Sequence, residues 1–434
     1  MVQSHPAGEH VLKKAYPQVP AGEEVQALFN AAIGEMDRFA MLVIGVDGLA
    51  WPMGDPPERP DGESPLLQLA RILNNMAASE DMRWGWIREA LFACLCRDMD
   101  ESAAVGLAGA VQQQFKNNTE HTLSVGVAVY PFWPFDKNAV LANAHKALDH
   151  ASFFGPNTIT AFDAVSLNIS ADKLYQYGDI DGAIEEFKKA LMVDSRNVNV
   201  HNSLGVCYGV QKKFNLAIKA FETAISLDPG DVMATYNLGL AYLKQGNRDK
   251  ALDLFLAAHR LDGTHPDIAC HVGLCYQDKG EVERALSYLE PAARTAPNRA
   301  TILRVLGDCY VHLDRLPEAV KAYEKAVKAN PKDAKSLSAL GQLYGRLGEN
   351  LEVAIVLARE STVLDPENGL FLKRLAELYL KGGQPKEALK VVQEAEALGE
   401  NCNEIRAAAR EQDGAQAPDA TDQRPVLRSG DGSP

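Results

Sequence analysis

Residues 198–231 read VNVHNSLGVCYGVQKKFNLAIKAFETAISLDPGD and residues 232–265 read VMATYNLGLAYLKQGNRDKALDLFLAAHRLDGTH, two lines of 34 residues whose glycines, tyrosines and alanines share columns. The columns continue in both directions. Gly205, Gly239, Gly273, Gly307 and Gly341 are 34 residues apart, as are Tyr208, Tyr242, Tyr276, Tyr310 and Tyr344. A second lattice follows Ala183, Ala217, Ala251, Ala285 and Ala319, with Phe187, Phe221, Phe255, Leu289 and Tyr323 four residues on, then Ala190, Ala224, Ala258, Ala292 and Ala326. Within one unit Leu204, Gly205 and Tyr208 are neighbours at helical spacing, and Ala217, Phe221 and Ala224 form an i, i+4, i+7 stripe. Each unit therefore predicts two antiparallel helices joined by a short polar turn, here Gln211 to Asn215. Small residues let the backbones approach while aromatics fill the space between them. One pair cannot bury its own face, so units must stack, with stability roughly a sum over neighbouring interfaces.

This pattern resembles the tetratricopeptide repeat family. Seven units are expected, 164–197, 198–231, 232–265, 266–299, 300–333, 334–368 and 369–402, forming an all-α superhelical solenoid. The end units depart from the pattern: Ala171 and Ala376 replace the glycine and Leu174 the tyrosine, and the sixth unit, one residue longer, moves its alanine to Ala354. In that family the first helix of each unit lines a concave groove that takes protein or peptide. Carried over by repeat position, the resemblance nominates Asn199, Asn202, Tyr236, Lys244, Arg304, Asp308, His312, Lys335, Gln342, Arg346, Lys373 and Lys381. In the last three units Arg304, Lys335, Arg346, Lys373 and Lys381 oppose only Asp308 and Glu377, which suits an acidic peptide. The same charges serve equally well as a solvated helix face.

Composition bounds the rest. A chain of 434 residues has room for two or three domains. Its formal charge of −14 argues against nucleic acid as a partner. The absence of an apolar run of the roughly 20 residues needed to cross a bilayer, and of a leader peptide, leads to the expectation of a cytoplasmic protein without membrane insertion. The seven cysteines (Cys94, Cys96, Cys207, Cys270, Cys275, Cys309, Cys402) include no CxxC pair and read as small core residues rather than as disulfides or metal ligands.

Residues 1–24 form a loose lead-in. Val25–Phe39 has helical spacing, Ala40–Val46 is an apolar strand, Trp51–Pro65 a loop, Leu66–Ala78 a helix and Ala90–Cys96 a strand. Glu101–Phe115 is helical, His121–Tyr130 alternates as a strand and Asn138–Phe153 is an amphipathic helix. A small α+β domain with a mostly antiparallel sheet and flanking helices is expected over residues 25–163. Residues 1–163 carry 11 lysines and arginines against 20 aspartates and glutamates. From 403 to 434 a disordered tail is expected, on the Gln, Asp, Pro, Gly and Ser that dominate after Ala407.

Ser124 to Pro131, followed by Leu141, Ala144, Ala147, Leu148 and Gly155-Pro156-Asn157, resembles the last third of a GGDEF domain, the diguanylate cyclase module. Val43 to Leu49 resembles its first strand, and Phe92 to Leu95 the strand after its namesake turn. The positions that would carry chemistry depart from that family. Nucleotide cyclisation there needs two carboxylates holding Mg²⁺, a glycine turn and polar groups reading guanine. Here Gly45 stands where the first carboxylate belongs, leaving Asp47. Arg88-Glu89-Ala90-Leu91-Phe92 replaces the turn, and Trp51, Pro52 and Met53 replace the guanine-reading loop. The inhibitory Arg-x-x-Asp is absent, with Ser79 and Met82 in its place. Asp47 and Glu89 read either as a surviving metal pair or as solvated or capping carboxylates. His145 and Asp149 read as a surface pair rather than a dyad. Trp84, Trp86, Phe132, Trp133 and Phe135 fall on two expected loops, either packing the domain against its lead-in helix or the first repeat, or presenting a partner patch.

The expectation is a non-enzymatic bacterial signalling scaffold with no catalytic residues, no metal and no cofactor. Its N-terminal domain is also a candidate self-association surface. The alternative is a receptor whose degenerate GGDEF-like domain binds a nucleotide or cyclic di-GMP without turnover.

Overall fold

The computed structural model describes residues 12–49, 64–79, 81–88 and 90–416. Its first part opens with α1 (Glu23–Ile33), β1 (Phe39–Val46), α2 (Pro65–Ser79), β2 (Met82–Arg88) and β3 (Leu91–Arg97). It continues with α3 (Glu101–Lys116), β4 (Leu123–Tyr130), α4 (Val140–Ala151) and β5 (Ile159–Ala161). The sheet order is β2-β3-β1-β4-β5. β1 runs antiparallel to β3 and β4, β2 antiparallel to β3, and β5 parallel to β4, so the sheet is mixed.

The unbroken apolar run of β1 reflects burial of both sheet faces. Met41 and Val43 join α1 and α4 in one core, while Ala40, Leu42, Ile44 and Val46 join α2 and α3 in the other. α4 lies directly on β4: a Cβ added to Gly126 would overlap the backbone of Ala144 and Leu148. No larger residue fits there without moving the helix.

Two expectations for this domain are corrected. The first helix stops at Ile33, before Gly34, and Phe39 begins the strand. The stretch 82–88 is a strand, not a loop, with Trp84 and Trp86 in it and each only 6% exposed. Its alternating Met82, Trp84 and Trp86 carry the period-2 signal, interrupted by Gly85. That glycine is there for close approach, because its Cβ would lie 2.8 Å from Val25 and 3.1 Å from Pro20. The lead-in crosses at this point, with Trp86 N donating to Pro20 O (3.0 Å) and Gly22 N to Trp86 O (2.9 Å).

The helices that follow come in pairs. They are α5 (Ala164–Gln176) and α6 (Ile180–Val193), α7 (Val198–Val210) and α8 (Phe214–Leu227), α9 (Val232–Lys244) and α10 (Arg248–Leu261), and α11 (Pro266–Asp278) and α12 (Val282–Thr295). Then come α13 (Ala300–His312) and α14 (Leu316–Ala329), α15 (Ala334–Leu347) and α16 (Leu351–Leu364), α17 (Gly369–Lys381) and α18 (Pro385–Ala397), and a final α19 (Asn403–Gln416). Side-chain caps start several of them: Asn197 accepts from Val200 N, Asp231 from Ala234 N and Asp179 from Gly182 N. The glycine column has a packing cause. A Cβ at Gly205 would meet the Phe221 ring at 2.5 Å, and one at Gly307 the Tyr323 ring at 2.7 Å. The extra residue of the sixth unit lengthens α15, which has 14 residues where the other first helices have 13, and in the turn that follows Gly348 and Asn350 both adopt positive φ.

α19 corrects the expected tail. Cys402, Ile405 and Ala409 are buried beside α18, and Arg406 pairs with Glu396. Residues 417–434 lie outside the described residues. All seven cysteines are buried and free. Burial raises the thiol pKa of Cys207, Cys270 and Cys275 to about 11 and of Cys309 to about 12.

The chain divides into two compact units, one ending at Gln245 and the other beginning at Gly246. In the first, the α+β domain and the leading repeats share a core that runs from Val25 to Cys207. Asp163 caps α5 through Ser166 N (2.8 Å), and Lys173 reaches Asp149 across the junction (2.7 Å). Lys146 pairs with the buried Glu186.

Candidate functional site

Asp47, at the end of β1, is engaged on both carboxylate oxygens. Oδ2 accepts from Thr122 Oγ1 (2.7 Å) and Asn157 N (2.8 Å), and Oδ1 from Ser124 Oγ (2.7 Å). The side chain thus ties β1 to the start of β4 and to the turn before β5. At Gly45 the space beyond the backbone is occupied: an added Cβ would meet Leu91 at 3.4 Å and Leu148 at 3.6 Å. Glu89, Trp51, Pro52 and Met53 lie outside the described residues, and so does either reading of Glu89 beside Asp47, as metal pair or as solvated carboxylate. His145 is half-buried, and its pKa is lowered by that burial and by the Arg88 guanidinium. The expected surface pair is corrected, because Asp149 forms its ion pair with Lys173.

The aromatic residues separate by role. Trp84 packs edge-on against Tyr16 (5.6 Å between centroids), and Phe132 and Phe135 pack on Phe162 (5.2 and 5.4 Å). Trp133 remains 73% exposed, and Phe153 and Phe154 are 68% and 69% exposed.

The nominated first-helix residues differ in exposure. In the first compact unit Asn199 and Lys244 are exposed, while Asn202 is half-buried and accepts from Asn237 Nδ2 (3.0 Å). Tyr236 is 8% exposed and belongs to the core rather than to an open groove. In the second unit Lys335, Arg346, His312 and Lys381 are exposed and Gln342 is half-buried. Arg346 lies 3.8 Å from Asp314, Lys381 Nζ donates to Gly345 O (3.1 Å), Lys373 stands 4.0 Å from Glu400, and His312 Nδ1 is 2.9 Å from Asp308 O.

Arg304 is committed to its own chain, 3.2 Å from Asp308 and 3.7 Å from Asp333. Asp308 in turn accepts from Tyr323 OH (2.6 Å), whose pKa is raised far above the phenol range by burial and by that carboxylate. Sequence reasoning missed Tyr323 and Arg374 as members of this polar layer. Arg374 donates to Ser338 Oγ (3.1 Å), and burial lowers its pKa. Tyr323 stands in the aromatic column of the sequence, where its hydroxyl carries no periodic signal.

A second feature was also missed. Tyr242, Tyr310 and Tyr344 donate to Glu222 (3.2 Å), Glu290 (3.0 Å) and Glu324 (2.7 Å), each 20 residues upstream. Tyr208 and Tyr276 have Lys188 and Leu256 at that spacing, so the latch is confined to part of the array. The spacing alone would have found it.

A tetratricopeptide repeat model matches residues 210–266 and 273–334, and a TPR repeat model matches residues 171–212. No curated protein sequence matches the chain. Among solved structures, the Cut9–Hcn1 hetero-tetramer of APC/C is similar at 18% identity and a TM-score of 0.48 over 56% of this chain, which spans 48% of that one. PilF of Pseudomonas aeruginosa is similar at 19% identity and a TM-score of 0.46, covering 49% of this chain and 97% of that one. MamA is similar at 31% identity and a TM-score of 0.35, covering 38% and 96%. With the helix pairs, the glycine and alanine columns and these family matches in agreement, the array of this chain is built of tetratricopeptide repeats.

Proposed function

We propose that the protein is a non-catalytic interaction scaffold that takes a protein or peptide on the first-helix face of its repeats. The observation that carries this reading is the set of exposed polar positions on successive first helices of the second unit, led by Lys335 and Arg346. Repeats of this kind generally bind protein or peptide. The basic bias favours an acidic segment, held by charge-assisted hydrogen bonds that salt weakens.

The N-terminal domain is, on this reading, a degenerate GGDEF-like module with a structural role. Asp47 gives both oxygens to protein donors, and Leu91 and Leu148 fill the place of the missing carboxylate at Gly45. A receptor that keeps nucleotide affinity is the competing reading. GTP at millimolar or cyclic di-GMP at micromolar concentration would then raise the melting temperature saturably, by about 2.7 kcal/mol of stabilisation at a hundredfold excess over Kd.

The scaffold reading is tested with Lys335→Glu/Arg346→Glu in the full chain, comparing proteins captured from native extract by quantitative mass spectrometry. Partners lost by the variant at unchanged helicity support it, and an unchanged set of partners refutes the assignment to this face. Arg304 is left intact, because reversing it would strand Asp308 and Asp333.

A further inference from the structure

The second helices of the fourth and fifth repeats flank an open groove of about 940 Å³. Its walls come from α12 and α14, and α13 contributes the apolar Leu303 and Leu306. Four cations border it: Arg294 on α12, and Lys321, Lys325 and Lys328 on α14. All four are exposed, and among the described residues none forms an ion pair. The two carboxylates beside them are already engaged, Glu290 by Tyr310 OH (3.0 Å) and Glu318 by Arg315 Nε (2.9 Å).

The lysines follow one another at i, i+4, i+7 and therefore lie along one stripe about 10 Å long. In a chain of net charge −14 this is a local reversal of sign above an apolar floor. The floor residues leave α13 on roughly the opposite face from Arg304 and Asp308, at 3.6 residues per turn. The surface is thus distinct from the first-helix face of the proposed function and does not depend on it.

We propose that this groove is a second docking site, and that its occupant is an acidic amphipathic helix of another protein. Carboxylates spaced one and two turns apart on such a helix match the lysine stripe. Its apolar stripe would cover Leu303, Leu306 and Ala322, the helix-in-groove mode of recognition. Lysines act as mobile point charges and tolerate small shifts of register. A recessed apolar floor suits an inserted side chain better than a flat bilayer surface. One face of the Tyr310 ring is already covered by the Arg315 guanidinium, 4.6 Å from its centroid, which disfavours stacking of nucleic-acid bases there.

The test uses the full chain and fluorescence anisotropy. The probe is a fluorescein-labelled helical peptide with Glu at i, i+4 and i+7 beside a leucine stripe, compared with a scramble of the same composition and with phosphatidylserine vesicles. The expected result is saturable binding of the probe with the scramble at least about tenfold weaker, equivalent to about 1.4 kcal/mol. Lys321→Glu/Lys325→Glu should lose about tenfold or more, Lys321→Gln/Lys325→Gln a smaller factor, and the equal charge change Lys386→Glu/Lys390→Glu, at exposed positions outside both faces, nothing, all at unchanged circular dichroism. Equal binding of the scramble, or indifference to both lysine variants, would overturn the proposal. So would loss of binding in the Lys335→Glu/Arg346→Glu variant, which would assign the peptide to the other face. Vesicle binding without peptide binding would make the occupant a membrane. Self-association in sedimentation, abolished by Lys321→Glu/Lys325→Glu, would make it a second copy of the chain.

Discussion

Replacing Asp47 by alanine tests whether this carboxylate is a structural staple or a remnant of metal chemistry. Three donors converge on it at 2.7–2.8 Å, and a hydrogen bond to a charged group contributes about 1.5–3 kcal/mol. The site is half-buried, so Thr122 and Ser124 regain some water, and losses that share one acceptor do not add fully. About 3 kcal/mol is therefore expected for Asp47→Ala, and about half of that for Asp47→Asn, which keeps one acceptor oxygen. For a unit of this size that is a fall in Tm of about 6–12 °C. Tryptophan fluorescence isolates the right part of the chain, because Trp51, Trp84, Trp86 and Trp133 all precede residue 164. Urea titrations followed at this signal should show the shift equally with and without Mg²⁺ and GTP. A loss below about 1 kcal/mol refutes the staple. Stability restored by Mg²⁺ with GTP in the aspartate protein, and not in Asp47→Ala, refutes the structural reading of the domain.

Burial, followed by Arg88, lowers the pKa of His145 below its ordinary 6.5, so the unfolded chain binds more protons below that pH. Stability at the tryptophan signal should be level above pH 7 and fall as pH drops from 6.5 towards the folded value, and His145→Gln should flatten that slope; parallel profiles for the two proteins would contradict it. Lys212 adopts φ 59° in the turn between α7 and α8, where glycine is unstrained. Lys212→Gly should raise stability by about 0.5–1 kcal/mol in thermal melts followed by circular dichroism, whereas a loss would mean that the lysine side chain is needed in the turn. At Gly341 an added Cβ would sit 2.8 Å from the Ala354 carbonyl, a backbone atom that cannot turn aside. Gly341→Ala should cost about 1–3 kcal/mol, read by urea unfolding of the helical signal, and an unchanged midpoint would show that α15 and α16 can separate freely.

The repeat array was legible because its cause is local and recurs every 34 residues. Gly205, Ala217 and Phe221 meet within one unit, so their spacing is written directly in the chain. The left-handed turn positions Gly178, Lys212, Gly246, Gly280, Asp314, Gly348 and Gly383 keep the same period, broken only by the longer sixth unit, and were equally readable. β2 was legible in principle from Met82, Trp84 and Trp86. Gly85 hid it, since its reason is a crossing by Pro20 that lies far away in sequence. α19 was hidden because its composition is polar: Ile405 and Ala409, with Cys402 just before the helix, are buried, and Arg406 pairs with Glu396.

By itself, the sequence determined the period, the helix pairs, the packing columns and the acidic character of the chain. Only the tertiary structure decided which charges are free. Arg304 and Lys335 look alike as first-helix cations, yet Asp308 and Asp333 neutralise the former, while Lys321, Lys325 and Lys328 form no ion pair among the described residues beside an open groove. Asp47 likewise became a staple only when Thr122, Ser124 and Asn157 closed on it. Ion pairs and hydrogen bonds depend on distances of a few ångströms between residues remote in the chain, and periodicity along the chain does not encode those distances.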